Sequence, residues 1–363
     1  MKVCLISTHS FPLPFKTHTG DIVILDLAEA LQKLGHQVWL CAPRETEFTN
    51  LLPMPASYGK FPPSSQDCEM EAWANHKAQL LRFDMVHDFS NTKCITQQLN
   101  QLGQFNTIQT LMGGAWTQPT PAHNLITWSK AHQERVSRGA TDYEGTPTPD
   151  LAGANGFPTP SNVVYGGVDT DFYCPEEYQK GDFHLWLGRW HPVRGYKMAI
   201  EIAKETGEHL LLAGEDPKNL LFEAEKEYAH EALELAKGCK NIRFCYLPED
   251  PNHHLAKRTM MRRAKSFWYT VQFHEPFGLS QVEAMACGTP VIATNYGSMP
   301  EIISESDTGF TVNNDLKSFT KALNKLKYID PQMCRRRAVA KFDISVMAKN
   351  YVKEYQRIIE ANI

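Results

Sequence analysis

Two carboxylates, Glu275 and Glu283, stand with seven residues between them in HEPFGLSQVEAMACGTPVIA, the stretch that begins at His274. A carboxylate is an acceptor-only group and suits hydroxyls. Glu275 precedes Pro276, which disfavours helix and holds it extended. SFWYTV, just before it, reads as a strand, so HEPFGL is the turn at a strand's carboxyl end, where open α/β sheets bind ligands. Glu275 is therefore read as a hydroxyl binder, with a structural ion pair as the alternative. Ser280 opens the pattern S-x-x-E, which predicts a capping box with Glu283 at the third helical position, and Gly288 closes the helix. A helix N-terminus carries free N–H groups and about half a positive charge, which suits phosphate. Gly278 lets backbone approach a ligand closely. On these grounds alone Glu283 is a helix cap.

The second stretch is GRWHPVRGYK, residues 188–197. It follows another predicted strand, and Arg189 and Arg194 flank a turn containing Pro192. Two guanidinium forks on one loop suit a diphosphate; a solvated loop is the alternative. Other patterns carry less. Asp169-Thr170-Asp171 mimics a metal-binding Asp-x-Asp but lies away from any phosphate loop. His253 and His254 are adjacent and read as surface. KRTMMRRAK (257–265) reads as a basic, solvated helix face, with contact to anionic lipid as the alternative. Trp116, near Gly113 and Gly114, reads as core or rim packing, with stacking on a ring as the alternative.

These residues need a scaffold. The chain has 363 residues, beyond the size at which one core stops growing, so two domains are expected. KVCLIS, a helix over DIVILDLAEALQKLG and QVWLCA make a β-α-β opening, which implies a parallel sheet. DMVHDF, NTIQTL and LITWS extend it. The aperiodic Gly/Pro/Thr stretch from 138 to 160 is a long loop, and loops of that length are usually functional or disordered. After VVYGGVDTDFYCP the alternation starts afresh with FHLWLG, a helix over YKMAIEIAKETG, HLLLAG, a long helix over 217–237, NIRFCYL, SFWYTV and PVIAT. ISVMAKNYVKEYQRII is a closing helix. The pattern predicts two Rossmann-like domains facing one another across a cleft. The opening loop lacks G-x-G-x-x-G, which argues against a nicotinamide dehydrogenase.

Composition excludes some classes. A formal charge of −4 and a pI near 6.4 give no electrostatic case for nucleic-acid binding. Nine cysteines without a C-x-x-C pair indicate a reducing compartment. The start has no signal-peptide pattern and no apolar run reaches about 18 residues. A cytoplasmic protein is expected, with peripheral contact to the inner face of a membrane left open.

HEPFGLSQVEAMACGTPVIATNYGSMPEII resembles the signature of retaining GT-B glycosyltransferases of family 4, whose core is Glu, seven residues, Glu, around Pro-Phe-Gly-Leu. GRWHPVRG resembles their donor loop, YGGVDTDFY their interdomain element, and Gly20 their N-terminal glycine loop. The resemblance implies a GT-B fold. Residues 1–165 plus 345–363 would form an acceptor-binding domain, 166–344 would bind a nucleotide-sugar, and the last helix would cross back to the first domain. It implies that Glu275 contacts hydroxyls of the transferred sugar, with Phe277 and Gly278 beside it. Arg189, Arg194, Gly20, Leu279 and Ser280 would hold the donor diphosphate, Glu283 the ribose, and His87 would act near the sugar. The implied activity is retaining transfer of a hexose-type sugar from a UDP- or GDP-sugar to a hydroxyl acceptor such as a glycan, glycolipid or small molecule. No metal and no tightly bound cofactor is implied. A non-catalytic nucleotide-sugar-binding subunit and a GT-B epimerase are the alternatives. Three departures stand out: Arg194 replaces the usual Lys of the donor loop, Met112-Gly113-Gly114 stands where His-Gly is common, and Gly297-Ser298 replaces Gly-Gly. Ser298 with Glu301 could form a further capping box.

Overall fold

A computed structural model of the chain describes residues 1–13, 19–56, 64–112, 124–138, 162–176, 180–220, 222–248 and 252–363. The expectations for Gly113, Gly114, Trp116 and the 138–160 loop beyond Arg138 lie outside these residues. The chain forms two compact units, Met1–Gly167 with Ile344–Ile363, and Val168–Asp343.

The first unit contains strands β1 (Lys2–Ile6), β2 (Gln37–Pro43), β3 (Leu51–Met54), β4 (Met85–Asp88), β5 (Thr107–Leu111), β6 (Leu125–Thr127) and β7 (Asn162–Val163). Its helices are α1 (Thr19–Lys33), α2 (Ser64–Leu80), α3 (Cys94–Gln101) and α4 (Lys130–Ser137). The sheet runs β3-β2-β1-β4-β5-β6-β7, and its pairings are parallel. β1 is an apolar run after Lys2, and β4 is buried throughout although half of it, His87 and Asp88, is polar; a sheet covered on both faces buries its strands in this way. β3 carries Pro53, which has no N–H for a ladder, and accordingly stands at the sheet edge.

The second unit repeats the plan. Its strands are β8 (His184–Leu187), β9 (Leu210–Glu215), β10 (Ile242–Leu247), β11 (Phe267–Tyr269), β12 (Val291–Thr294) and β13 (Gly309–Val312). Its helices are α5 (Tyr196–Thr206), α6 (Glu223–Leu235), α7 (His253–Arg263), α8 (Leu279–Ala286), α9 (Met299–Ile302), α10 (Leu316–Leu323) and α11 (Pro331–Phe342). The order β10-β9-β8-β11-β12-β13 is a doubly wound sheet, again parallel, that reverses between β8 and β11. The loops leaving those two strands are GRWHPVRG and TVQFHEPFG. The sheet's crevice therefore falls on the two stretches singled out by their chemistry.

The last helix, α12 (Ile344–Ala361), belongs to the first unit. Met347, Ala348, Tyr351, Tyr355 and Ile358 form its buried face. It is fastened to the sheet through His87. The imidazole Nδ1 meets Tyr355 Oη at 2.7 Å and Nε2 meets Thr110 Oγ1 at 2.8 Å. Thr110 in turn bonds Tyr351 Oη at 2.9 Å, and Trp128 donates to the same hydroxyl.

Candidate functional site

The donor-loop stretch is built around Trp190. Its ring is buried with Trp186 at 5.5 Å, and its indole N–H donates to Glu215 O at 2.8 Å. With this residue anchored inward, Arg189 and Arg194 stand on either side of the anchor. His191 caps the short turn Pro192–Arg194 by accepting from Val193 N. Gly195 then lies against β11's exit: its φ is +78°, and a Cβ there would sit 1.7 Å from Thr270 O. Thr270 Oγ1 donates to Gly195 O at 2.8 Å and Gln272 N to Val193 O at 2.6 Å, so the two site loops are bonded together.

This clamp brings Arg194 to Glu275. Nη1 donates to Oε2 at 3.1 Å, and Tyr269 Oη donates to the same oxygen at 2.5 Å. The Arg194 guanidinium also covers the Phe273 ring at 4.9 Å. Both side chains of the pair are partly shielded, 19% and 11% exposed. A charge-assisted bond contributes about 1.5–3 kcal/mol in such surroundings. Tyr269 had no sequence signal: it is one aromatic among several in SFWYTV, and only the fold shows its hydroxyl turned to Glu275. Arg189 reaches a different carboxylate, Glu225 on α6, at 3.5 Å.

The backbone around Glu275 is also fixed. Gly297 has φ +59°, and a Cβ there would meet Glu275 O at 2.3 Å and its N at 2.5 Å. Ser298 N donates to Glu275 O, and Ser298 Oγ to Phe277 O at 2.8 Å. Of the Gly-Ser pair that departs from Gly-Gly, the glycine is the member the geometry requires. Ser298 makes no cap hydrogen bond to α9, so the second capping box is not formed.

The first capping box is not formed either. Gly278 is the N-cap of α8, and no side chain caps the helix. Ser280 is its second residue and Glu283 its fifth. Gly278, Leu279 and Ser280 therefore present a helix N-terminus without a side-chain acceptor, the arrangement that suits an anion. Phe277 does not offer its ring or its carbonyl. Its ring is buried against Phe342 at 5.7 Å, and its carbonyl already accepts from Gln281 and Ser298.

Glu283 is buried and faces a buried cation. Its Oε2 is 2.5 Å from Lys257 Nζ, and both side chains are 2% exposed. This corrects the reading of Lys257 as part of a solvated face, while Arg263 and Lys265 are exposed. Arg258 covers the Phe172 ring at 4.5 Å, and Arg262 donates to Cys174 O at 2.6 Å and to Glu176 at 2.5 Å. The helix grips the 172–176 segment with its charges. His253 is likewise buried, bonded to Pro248 O at 3.2 Å, and not a surface residue.

His87 does not stand open beside a ligand. It is fully buried, both ring nitrogens are engaged as described, and the Phe89 ring lies against it, tilted, at 4.0 Å. Burial, and then the charge of Lys93, hold its imidazole well below the usual range, so it is neutral. Gly20 lies in the first turn of α1 and not in a loop. Asp169 Oδ1 accepts from the Asp171 and Phe172 amides, a local turn that accounts for the Asp-x-Asp spacing.

Residues 171–339 match the family model for glycosyl transferases group 1. That group 1 segment contains both arginines, both glutamates and Lys257. A curated relative, a D-inositol 3-phosphate glycosyltransferase from Mycobacterium sp. (strain JLS), is 27% identical over 196 residues, which is 51% of this chain and 43% of the relative. The match thus spans less than half of the relative's length. Among solved structures, sucrose-phosphate synthase from Thermosynechococcus elongatus aligns over 99% of this chain and 100% of its own, with TM-score 0.74 and 18% identity. Anabaena Alr3699/HepE, solved in complex with UDP and glucose, aligns over 98% and 99%, with TM-score 0.70 and 14% identity. The two parallel Rossmann-like sheets match GT-B glycosyltransferase structures. Among the described residues, no helix is long and apolar enough to cross a membrane.

Proposed function

We propose that the chain is a retaining glycosyltransferase that moves a hexose-type sugar from a nucleotide-diphospho-sugar to a hydroxyl acceptor. The observation that carries this reading is the contact of Arg194 with Glu275 at the switch point of the second sheet, three residues before an α8 N-terminus that no side chain caps. A guanidinium, a helix N-terminus and a hydroxyl-binding carboxylate are the three groups that a sugar diphosphate needs side by side. The second unit binds the donor and the first unit binds the acceptor.

As the bond from the sugar's anomeric carbon to the β-phosphate oxygen breaks, charge grows on that oxygen. Arg194, with Arg189, and the N–H groups of Leu279 and Ser280 stabilise it as fixed donors. Glu275 holds the sugar hydroxyls. The acceptor oxygen bonds to the anomeric carbon on the face the diphosphate leaves, and its proton passes to the departing phosphate oxygen. His87 has no part in this proposal, because its ring nitrogens are spent within the fold. UDP and GDP are the expected nucleotides, and no metal is required.

A screen of UDP-, GDP- and ADP-sugars for release of free nucleotide, with and without chelator, tests the reading. One sugar donor turned over by the wild type, unaffected by chelator and abolished in Glu275→Ala, is expected. Binding of a donor with no turnover in any acceptor mixture would indicate a non-catalytic subunit instead.

A further inference from the structure

We infer that Lys257 is a positioning residue for recognition of the donor's ribose, acting through Glu283. The inference rests on the reading of the second unit as a nucleotide-sugar site.

Three observations lead to it. First, Lys257 occupies a position on α7 that belongs to the apolar stripe. Its neighbours at helical spacing, His253, Met260, Met261 and Ala264, are all buried. A lysine on that stripe puts an ammonium where a leucine or methionine would pack, and burial of an unpaired ammonium is strongly unfavourable. It is tolerated because Glu283 approaches from α8.

Second, Glu283 projects towards the ligand end of its helix. Residues three and four positions earlier are Ser280 and Leu279, so Glu283 shares their face. Side chains on an α-helix lean towards its N-terminus. The Glu283 carboxylate therefore lies along the stripe that leads to the N–H groups of Leu279 and Ser280, the proposed diphosphate mouth. A ribose is the next group along a nucleotide from its phosphates.

Third, the pair is a charge contact rather than a saturated hydrogen-bond network. Glu283 Oε2 receives no aligned hydrogen bond, although the Lys257 ammonium is 2.5 Å away. The ammonium also lies over the Tyr173 ring at 5.8 Å, a second contact that holds it in place. Lys257 thus supplies countercharge to Glu283 without an aligned hydrogen bond at Oε2. Its role is to keep Glu283 aimed, so that Glu283 accepts from vicinal ribose hydroxyls. It touches no ligand itself.

The test is calorimetric titration of UDP, GDP and ADP, followed by the 2′-deoxy form of the tightest binder. The protein is compared as wild type, Lys257→Met, Lys257→Arg, Glu283→Gln and the double variant Lys257→Met/Glu283→Gln. The wild type should prefer the ribonucleotide by tenfold or more. Lys257→Met should reduce that preference to threefold or less while binding of the 2′-deoxy form stays within threefold of wild type. Lys257→Arg should restore the preference. In the Glu283→Gln background, adding Lys257→Met should change the preference no further, since one residue acts through the other.

The double variant removes both charges, so it provides a folded comparison if the single Lys257→Met unfolds. A preference preserved in Lys257→Met, or an additive loss in the double variant, overturns the inference. Should Lys257→Met unfold, a preference equal to wild type in the double variant overturns it. If no nucleotide binds the wild type, the reading of the site as a nucleotide-sugar site fails, which is a separate result.

Discussion

Glu275 Oε2 accepts from both Arg194 and Tyr269. Under the proposed function, a donor competes with these bonds: its phosphates for the guanidinium, its hydroxyls for the carboxylate. Binding is then a replacement of one set of charge-assisted bonds by another, which favours ligands that offer both groups together. Replacing Arg194 by Ala should lower kcat/KM by about 10²–10³, the usual cost of removing one donor to a developing oxyanion. Arg194→Lys should fall between, because it keeps the charge but not the fork. Steady-state kinetics would refute the assignment if Arg194→Ala stayed within threefold of wild type. Gly297→Ala tests the backbone beneath: its new Cβ would collide with Glu275 N and O. At least a tenfold drop in turnover is expected, with a lower melting temperature. Unchanged values for both would mean that the 296–298 turn does not set Glu275.

At the scale of elements, buried histidines make the fold sensitive to acid. His87 is held neutral, chiefly by burial, and His132 on α4 is pushed down to about 4 by burial and then by Arg135. In the unfolded chain these imidazoles bind a proton near pH 6.5, and in the folded chain they do not. Stability is therefore present above about 6.5 and is lost as pH falls towards the folded values. Each such group gives a slope approaching about 1.4 kcal/mol per pH unit. The melting temperature should drop between pH 7 and 5, and His87→Gln should flatten part of that slope even though it lowers stability overall. An unchanged slope in this variant would contradict the buried neutral His87.

The same scale shows what the residue pattern made legible. The strand-helix alternation could be read because parallel strands buried on both faces are continuous apolar runs. β3 escaped it because Pro53 weakens a strand pattern and is tolerated only at the edge, where β3 lies. The capping box at Ser280 failed because Gly278 takes the cap, two positions earlier, from a turn set by Pro276 and Phe277. Lys257 carries a sequence signal for burial: it falls on α7's apolar stripe, and a charge on such a stripe implies a buried partner. Identity of charge was read where position along the helix mattered more. Tyr269 could not be found without the sheet, since its partner is defined only when β11 ends beneath Glu275.

For the whole molecule, the chain repeats one doubly wound plan and returns its last helix to the first unit. Tyr351 and Tyr355 on α12 complete the hydrogen bonds of His87 and Thr110, so the first unit depends on residues 344–363. Deleting 344–363 should expose that sheet and make the first unit susceptible to limited proteolysis, while a fragment of the second unit persists. Equal resistance of both units would contradict this dependence.

The proposed function requires above all that a diphosphate be held by Arg194 and the α8 N-terminus. Its most direct test is calorimetric comparison of a nucleoside diphosphate with the matching monophosphate, on the wild type and on Arg194→Ala. The diphosphate should bind at least tenfold more tightly than the monophosphate to the wild type, and Arg194→Ala should remove most of this gap. Equal affinity of the two nucleotides for the wild type, or an undiminished gap in Arg194→Ala, would contradict it.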